Sequence, residues 1–488
     1  MLSHMQFPVA KSYAFIELAT FFGYFAVILL IAFISYRKQQ SDSDFIIGNR
    51  SLSFWLTALS AHASDMSSWL FLAYPAEIFT QGVFYAWAAV GLTGFMFLNW
   101  QFVAPKIRMV TEQLGSLTLN SYFETRFGDK SGAIRVVSAL MAILFYTIYI
   151  TSGLYALGIL VESLFGLSYF VGISFGLLIV VIYVFMGGYK TVAWIDLFQG
   201  FFLLGVIVFI PVFLLFKFGG VQPILHAVSL KGISTSLFPD YSYKTVWQIF
   251  MITAGWGLGY FGQPHIITKF MGINRVSEMG KAKWLGISWQ SIALISATWI
   301  GLIGVYMFPQ GLKESQEVIL DIVKTTFAPF FAGLVLCAIL AATTNVMAAQ
   351  ILVVASNLAE DLYKRIFRKQ ASPVELLWVT RSSVVFIAVL GFVIAYFKIT
   401  TIFQLVLYAW SGLGASFGPL LLLSLYVKNL NRYGAFAGIL VGGLTAAVWP
   451  LLKEPLGIGA MVAGFTFSTL TILGVSYATR SKIARIQA

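Results

Sequence analysis

Runs of about twenty apolar residues follow one another along this 488-residue chain, separated by short polar stretches. A run of that length, wound as a helix, crosses a hydrocarbon core of ~30 Å. About thirteen such spans are predicted, at residues 13–36, 52–72, 83–105, 132–161, 168–186, 193–216, 246–265, 284–308, 328–362, 376–397, 401–427, 433–451 and 458–478. None has the alternating pattern of a barrel strand, and in lipid only helices and closed barrels satisfy their own backbone groups. The pattern predicts an all-α polytopic membrane protein. The first run is longer than a signal peptide's apolar core and has no small-residue cleavage site, so it is expected to stay as a span.

The polar stretches are not alike. If the connection after the first span faces the cytoplasm and the sides then alternate, that side holds "YRKQQ", "PKIR", "KFMGINR" and "YKRIFRK". In all, 23 of the 31 Lys and Arg fall there and 8 on the other side. This asymmetry is the positive-inside signal. It predicts an amino terminus outside and a carboxyl terminus in the cytoplasm, which an odd number of spans permits.

Composition narrows the classes further. The chain is 59% hydrophobic and 10% charged, against about 25% charged in a soluble domain. Its single cysteine, Cys337, excludes an internal disulfide and a cysteine-based metal site. The longest connection, about 217–245, is too short for a separate domain, so residues 1–488 read as one transmembrane unit. No Walker-type glycine loop is present to bind ATP. The histidines, at 4, 62, 226 and 265, form no constellation with a nucleophile or metal ligands, which argues against an enzyme. A solute sensor would need an output domain, and a channel a ring of like charges; neither is visible.

Three spans carry unusual polarity. Span two contains "LSAHASDMSSW" (59–69), span seven "ITAGWGLGYFGQPH" (252–265) and span nine "ILAATTNVMAAQ" (339–350). A charge at mid-membrane costs at least ~2.5–3.5 kcal/mol, so Asp65 is expected to have a partner or a task. Serines and unwound carbonyls around it would suit a hard cation. Capping a half-helix is the structural alternative. His62, at i−3 from Asp65, is either a neutral hydrogen-bonded histidine or a titrating neighbour. Spans two to six and seven to eleven make two five-span units, 52–216 and 246–427, the second inverted. Each begins with an interrupted helix, the sequence pointer to a transport site at mid-membrane. The run 13–36 leads and 433–478 trails.

Together "LSAHASDMSSW", "GGYKTVAWID" (187–196), "GWGLGYFGQPH" (255–265) and "AEDLYK" (359–364) resemble the solute:sodium symporter family, with the strongest likeness to its sodium/proline symporter branch. The likeness runs in order from about residue 20 to 475. It implies a LeuT-type 5+5 inverted repeat in a bacterial inner membrane. It implies a symporter for a small zwitterionic amino acid, L-proline first, coupled to a sodium ion. No nucleic acid or obligatory protein partner is called for. For sodium it implies the backbone of Ala63 and Met66, Asp65, the Ala342 carbonyl and Asn345, with Thr344 as a further ligand. For the solute it implies Ser67, Ser68, Trp69, Tyr149, Trp256, Tyr260 and Pro264. Arg50, His62 and Asp196 are expected in coupling or gating. Arg50 also reads as a positive-inside anchor, and Asp196 as an interfacial acid reaching headgroups and water. His265 reads as a gate or a helix end.

The chain departs from that branch in places. Asn345-Val346 replaces a Ser-Thr pair, and Val346 offers no side-chain oxygen. His62 stands where the branch has glycine. Ser68 replaces a glycine beside the solute, and Ile150 follows Tyr149 where a cysteine is frequent. Proton coupling, another small organic solute, or a non-transporting sensor on the same fold therefore remain alternatives.

Overall fold

The structure is a computed structural model that describes residues 10–36 and 46–480. Arg37, Lys38, Lys482 and Arg485 of the basic tally lie outside them. The long elements are numbered here α1 to α13; shorter helices are given by residue range. α1 is Ala10–Tyr36. α2 runs as Phe54–Ser68, a wide turn at Trp69–Ala73, and Tyr74–Gln81. α3 (Val83–Gln113) and α4 (Ala133–Glu162) follow, then α5 (Tyr169–Ile182) and α6 (Tyr189–Lys217). α7 is broken into Tyr243–Gly257, Leu258–Gly262 and Pro264–Gly272. The rest are α8 (Val276–Met307), α9 (Pro329–Phe367), α10 (Pro373–Tyr396), α11 (Ile402–Tyr426), α12 (Arg432–Leu452) and α13 (Ala460–Ala478).

Nine helices among the described residues are long and apolar enough to cross a membrane: α3, α4, α6 and α8 to α13. The chain is a multi-pass membrane protein. Two of the other expected spans are interrupted: α2 is too polar around Asp65, and α7 is cut at Gln263, which is extended (φ −90°, ψ 102°). α1 is a 27-residue helix, Ala10–Tyr36.

Residues 169–217 are helical throughout, and a straight rod of that length would measure about 73 Å. Yet Phe25 packs on Phe175 at 5.8 Å between ring centroids, while its neighbour Tyr24 packs on Phe198 at 6.3 Å. On a straight helix those two phenylalanines would stand about 35 Å apart. The chain therefore turns back between α5 and α6, both of which lie against α1.

Two ends of the bundle differ in character. At one, Leu52 pairs with the end of α7: Leu52 N–H donates to Gly272 O at 3.1 Å, and Asn274 N–H to Leu52 O at 2.8 Å. Arg50, Arg108, Arg135 and Arg365 gather there. At the other, Val83 N–H donates to Ser234 O at 2.8 Å and Trp87 Nε1 to Leu237 O at 2.8 Å. α2 runs from the basic end towards Glu77, and α7 runs the opposite way.

The glycines of α7 answer to packing. A Cβ on Gly262 would meet the backbone of α11, Gly414 Cα and Gly418 N, at 2.7 Å, and one on Gly259 would meet the Trp410 ring. Gly255 faces open space. Overpacking against backbone costs about 1–3 kcal/mol. Gly262→Ala is accordingly expected to lower the thermal midpoint in detergent clearly, and Gly255→Ala to leave it within error.

Candidate solute and cation site

α2 leaves helical geometry at Ser67, whose φ of 44° and ψ of −167° are ordinarily reserved for glycine. Such a conformation costs about 1–3 kcal/mol and persists only when its surroundings impose it. The break re-aims Trp69, whose backbone N–H bonds to the oxygens of Met66 and Ser67 and to Ser67 Oγ at 3.2 Å. The predicted interruption of span two thus narrows to one residue, two positions beyond Asp65.

The Asp65 side chain is buried at 5% exposure, and the Tyr260 hydroxyl, from the unwound part of α7, donates to its Oδ2. Tyr260 is held in turn. Gln290 Nε2 on α8 donates to its hydroxyl at 3.0 Å, and Asn99 Nδ2 on α3 to its carbonyl at 2.9 Å. Since Tyr260 has one proton and receives another from Gln290, its own is directed at Asp65. The two interrupted helices meet through this contact.

Asp65 lines a cavity of about 250 Å³ with Met66, Trp69, Leu92, Tyr149, Trp256, Tyr260, Val406 and Trp410. Trp69 lies 4.9 Å from the Trp256 ring, and Tyr260 stands edge-on to Trp410 at 5.1 Å. Trp256 Nε1 donates to the Tyr85 hydroxyl at 3.1 Å, and Trp410 Nε1 to Trp256 O at 2.9 Å. Trp69 Nε1 and Ser68 Oγ are buried without a partner. Four of the expected solute residues, Trp69, Tyr149, Trp256 and Tyr260, therefore share one chamber with Asp65. Ser67 and Ser68 sit at the break between Met66 and Trp69 and do not line the chamber. Pro264 does not reach it and lines a different cavity. Trp410, Tyr85, Asn99 and Gln290 were missed, because each lies in a span whose pattern is that of ordinary packing.

The expected cation ligands divide. A Cβ on Gly153 of α4 would meet Thr343 and Met347. At about 100° per residue this places Asn345 on the opposite side of α9, with Ala342 about 120° round from that contact and Val346 about 80° from it; the helix's other neighbours include α1, α2 and the α5–α6 segment. Both polar atoms of Asn345 are buried with no hydrogen bond. The Thr343 and Thr344 hydroxyls bond back to Ile339 O (2.7 Å) and Leu340 O (2.8 Å) in their own helix. Asp65 turns to Tyr260 and lines the aromatic chamber. Ala63 packs towards Gly200 of α6.

His62 is fully buried, and its Nε2 accepts from Trp100 Nε1 at 3.0 Å. A tryptophan can only donate, so the imidazole proton is on Nδ1. Its Nε2 edge faces Gly286 of α8, and Nδ1 has no hydrogen-bond partner. Asp196 is not interfacial. Its side chain is 1% exposed and pairs with the Lys269 ammonium of α7 at 2.8 Å, while Ser60 Oγ donates to it at 2.5 Å. The sequence reading missed Lys269, which was counted as a loop cation. Arg50 is more than an interfacial anchor. It donates to Thr111 Oγ1 (3.2 Å), Thr111 O (3.1 Å), Met271 O (2.9 Å) and Ser116 O (2.8 Å), tying the start of α2 to α3 and α7.

With this geometry in hand, comparison with known proteins is decisive for the family. The model of the sodium:solute symporter family matches residues 45–442. The chain belongs to the sodium:solute symporter family. The high-affinity proline transporter PutP of Bacillus subtilis is 36% identical over 457 residues, covering 93% of this chain and 96% of that one. The sodium/proline symporter of Escherichia coli is 36% identical over 479 residues, covering 96% and 94%. Among solved structures, a Na+-coupled sialic acid symporter in a substrate-bound outward-open state superposes with a TM-score of 0.83 at 20% identity, covering 96% of this chain and 98% of that one. MhsT in complex with L-phenylalanine does so at 0.56 and 13%, covering 88% and 99%. These neighbours are LeuT-fold transporters, and the likeness is one of fold.

The buried ion pair yields a direct test. Removing one partner of a buried pair costs about 3–5 kcal/mol because the other charge is stranded. Lys269→Met should sharply reduce the folded yield and thermal midpoint, and Lys269→Met with Asp196→Asn should recover most of both.

Proposed function

We propose that this symporter imports a small zwitterionic amino acid, L-proline foremost, driven by sodium. The observation that carries the reading is the Asp65 carboxylate on the wall of an aromatic chamber, held there by Tyr260. A secondary amine carries its charge on a compact apolar ring. Tryptophan and tyrosine faces suit that ring and its cation together, and Asp65 supplies the countercharge. The unpartnered Trp69 Nε1–H is a donor for the carboxylate end. The names of the Bacillus and Escherichia relatives support proline as the first candidate.

Sodium is assigned to the space between α2 and α9, with Ala63, Met66, Ala342 and Asn345 as oxygen donors and Thr344 as a further one. The orphaned amide of Asn345 supports this placement, since a buried amide without any bond calls for a missing partner. Asp65 then acts at one remove. The cation orders the α2 break, the break aims Asp65 and Trp69, and solute and cation favour one another by a reciprocal coupling. The proton alternative rested on the ligand lost at Asn345-Val346 and on His62; the His62 ring is engaged by α3 and α8.

The same reading takes all thirteen elements as spans, with 52–216 and 246–427 as inverted repeats. The basic end then faces the cytoplasm of a bacterium, and the amino terminus lies outside. Opposite the basic end, a vestibule of about 1900 Å³ bounded by Glu77, Tyr85, Trp256 and Phe403 gives access from outside. Trp256 lines both this vestibule and the Asp65 chamber.

In proteoliposomes, proline uptake is expected under a sodium gradient without a pH gradient; uptake only with a proton gradient would reverse the ion assignment. Asp65→Asn keeps the acceptor for Tyr260 but removes the charge. It is expected to raise the sodium concentration for half-maximal uptake about tenfold, roughly 1.4 kcal/mol, or to abolish uptake; an unchanged sodium dependence would remove Asp65 from coupling. Gln290→Leu frees the Tyr260 hydroxyl, and a lost buried hydrogen bond of about 1–3 kcal/mol should weaken proline binding roughly tenfold in equilibrium dialysis.

A further inference from the structure

Behind the Asp65–Tyr260 contact lies a layer of buried polar groups that does not line the chamber: Trp100 of α3, His62 of α2 and Gln290 of α8. The imidazole lies 11° from parallel to the Trp100 ring, with 6.1 Å between centroids, and its Nε2 accepts from Trp100 Nε1 at 3.0 Å. Gln290 stands one turn beyond Gly286, on the face of α8 against which the ring packs, and its amide is within reach of the imidazole. His62 Nδ1 and Gln290 Oε1 are both buried with no hydrogen bond.

Proton counting gives this layer a direction. A tryptophan N–H can only donate, so Nε2 is the acceptor and the imidazole proton sits on Nδ1. Gln290 has its amide nitrogen on the Tyr260 hydroxyl at 3.0 Å, which leaves Oε1 as its acceptor. Nδ1–H and Oε1 are therefore complementary, and each is a buried group that calls for a partner. Turned end for end, the Gln290 amide would offer Tyr260 an oxygen. The tyrosine proton would then have two acceptors, Asp65 Oδ2 and Gln290 Oε1, in place of one. Only the orientation with Oε1 towards His62 commits that proton to Asp65.

We propose that His62 is a positioning residue for the Asp65 chamber: its Nδ1–H takes Gln290 Oε1 and so turns the amide N–H to Tyr260. The proposal rests on the amino-acid reading above. Trp100 fixes the imidazole tautomer, His62 the amide, Gln290 the tyrosine proton, and Tyr260 the carboxylate that meets the solute. Equilibrium dialysis of radiolabelled L-proline against the purified full-length protein in saturating sodium tests it. His62→Gln keeps an acceptor where Nε2 stands but has no donor at the Nδ1 position. It should weaken binding about tenfold, the cost of one lost buried hydrogen bond. His62→Asn keeps an N–H at the Nδ1 position and loses the acceptor for Trp100; with the donor kept, it should bind within about twofold of the unaltered protein. A residue needed only for its contact with Trp100 would give the reverse order. Because the effect passes through the amide, His62→Gln added to Gln290→Leu should weaken binding no further than Gln290→Leu alone. His62→Leu, apolar and of similar bulk, should show the same loss as His62→Gln and serves in its place if that variant does not fold. Unchanged affinity in the donor-less variant, weaker binding by His62→Asn than by His62→Gln, or losses that multiply in the double variant would overturn the positioning role and leave the chamber standing. No proline binding by the unaltered protein would sink the amino-acid reading, and this inference with it.

Discussion

A carboxylate held at mid-depth by a tyrosine from another helix is the contact on which this molecule is organised. Neither α2 nor α7 is a regular helix where they meet. α2 breaks at Ser67, and α7 unwinds from Leu258 to Gln263. Left in lipid, either break would expose backbone groups with nothing to satisfy them. Brought together, they enclose Asp65, give it a donor, and let Gln290 and Asn99 fix that donor from behind. The strain at Ser67 and the burial of a charge are thus borne by neighbours that are themselves rigid.

The two ends of the bundle distribute charge differently, and this shapes access. At the basic end, Arg50 ties α2, α3 and α7, while Arg135 bonds Asp361 at 2.6 Å and Glu124 at 3.1 Å. Asp361 also receives Asn120 at 2.8 Å and Thr118 at 3.1 Å. The Asp361 bonds run between elements far apart in sequence, and most of their members are shielded from water. The opposite end opens into the vestibule that carries Glu77 and Glu454. One face is clasped by ion pairs and the other lies open as far as Trp256, an arrangement suited to a protein that must open its ends in turn.

Several side chains acquire meaning only from their partners. Asp196 and Lys269 are 73 residues apart and belong to different spans. In the sequence each has an ordinary reading as an interfacial charge. Juxtaposed, they form a buried pair that pins the second half of α7 to α6, with Ser60 of α2 completing it. His62 shows the converse. Its spacing to Asp65 suggests an interacting couple, yet packing of α2 on α3 and α8 directs the ring to Trp100 and Gly286. Pro264 ends on the far side of the α7 break, because an extended residue at Gln263 reverses which cavity the next turn faces.

The sequence by itself determined the all-helical membrane class, the crowding of cations at one end and the two interrupted helices, while the aromatic set Trp69, Tyr149, Trp256 and Tyr260 came from the likeness to the family. Each of the first three is written in local composition or in the period of apolar residues, so no fold is needed to read it. Tertiary structure alone decided that Asp65 faces Tyr260, that α5 and α6 fold back on one another, that Trp410 and Gln290 complete the site, and that Lys269 pairs with Asp196. Those outcomes depend on which face of each helix meets which neighbour. In a bundle apolar on nearly every side, that choice is made by packing of small residues and pairing of buried polar groups between distant segments, which no local pattern records.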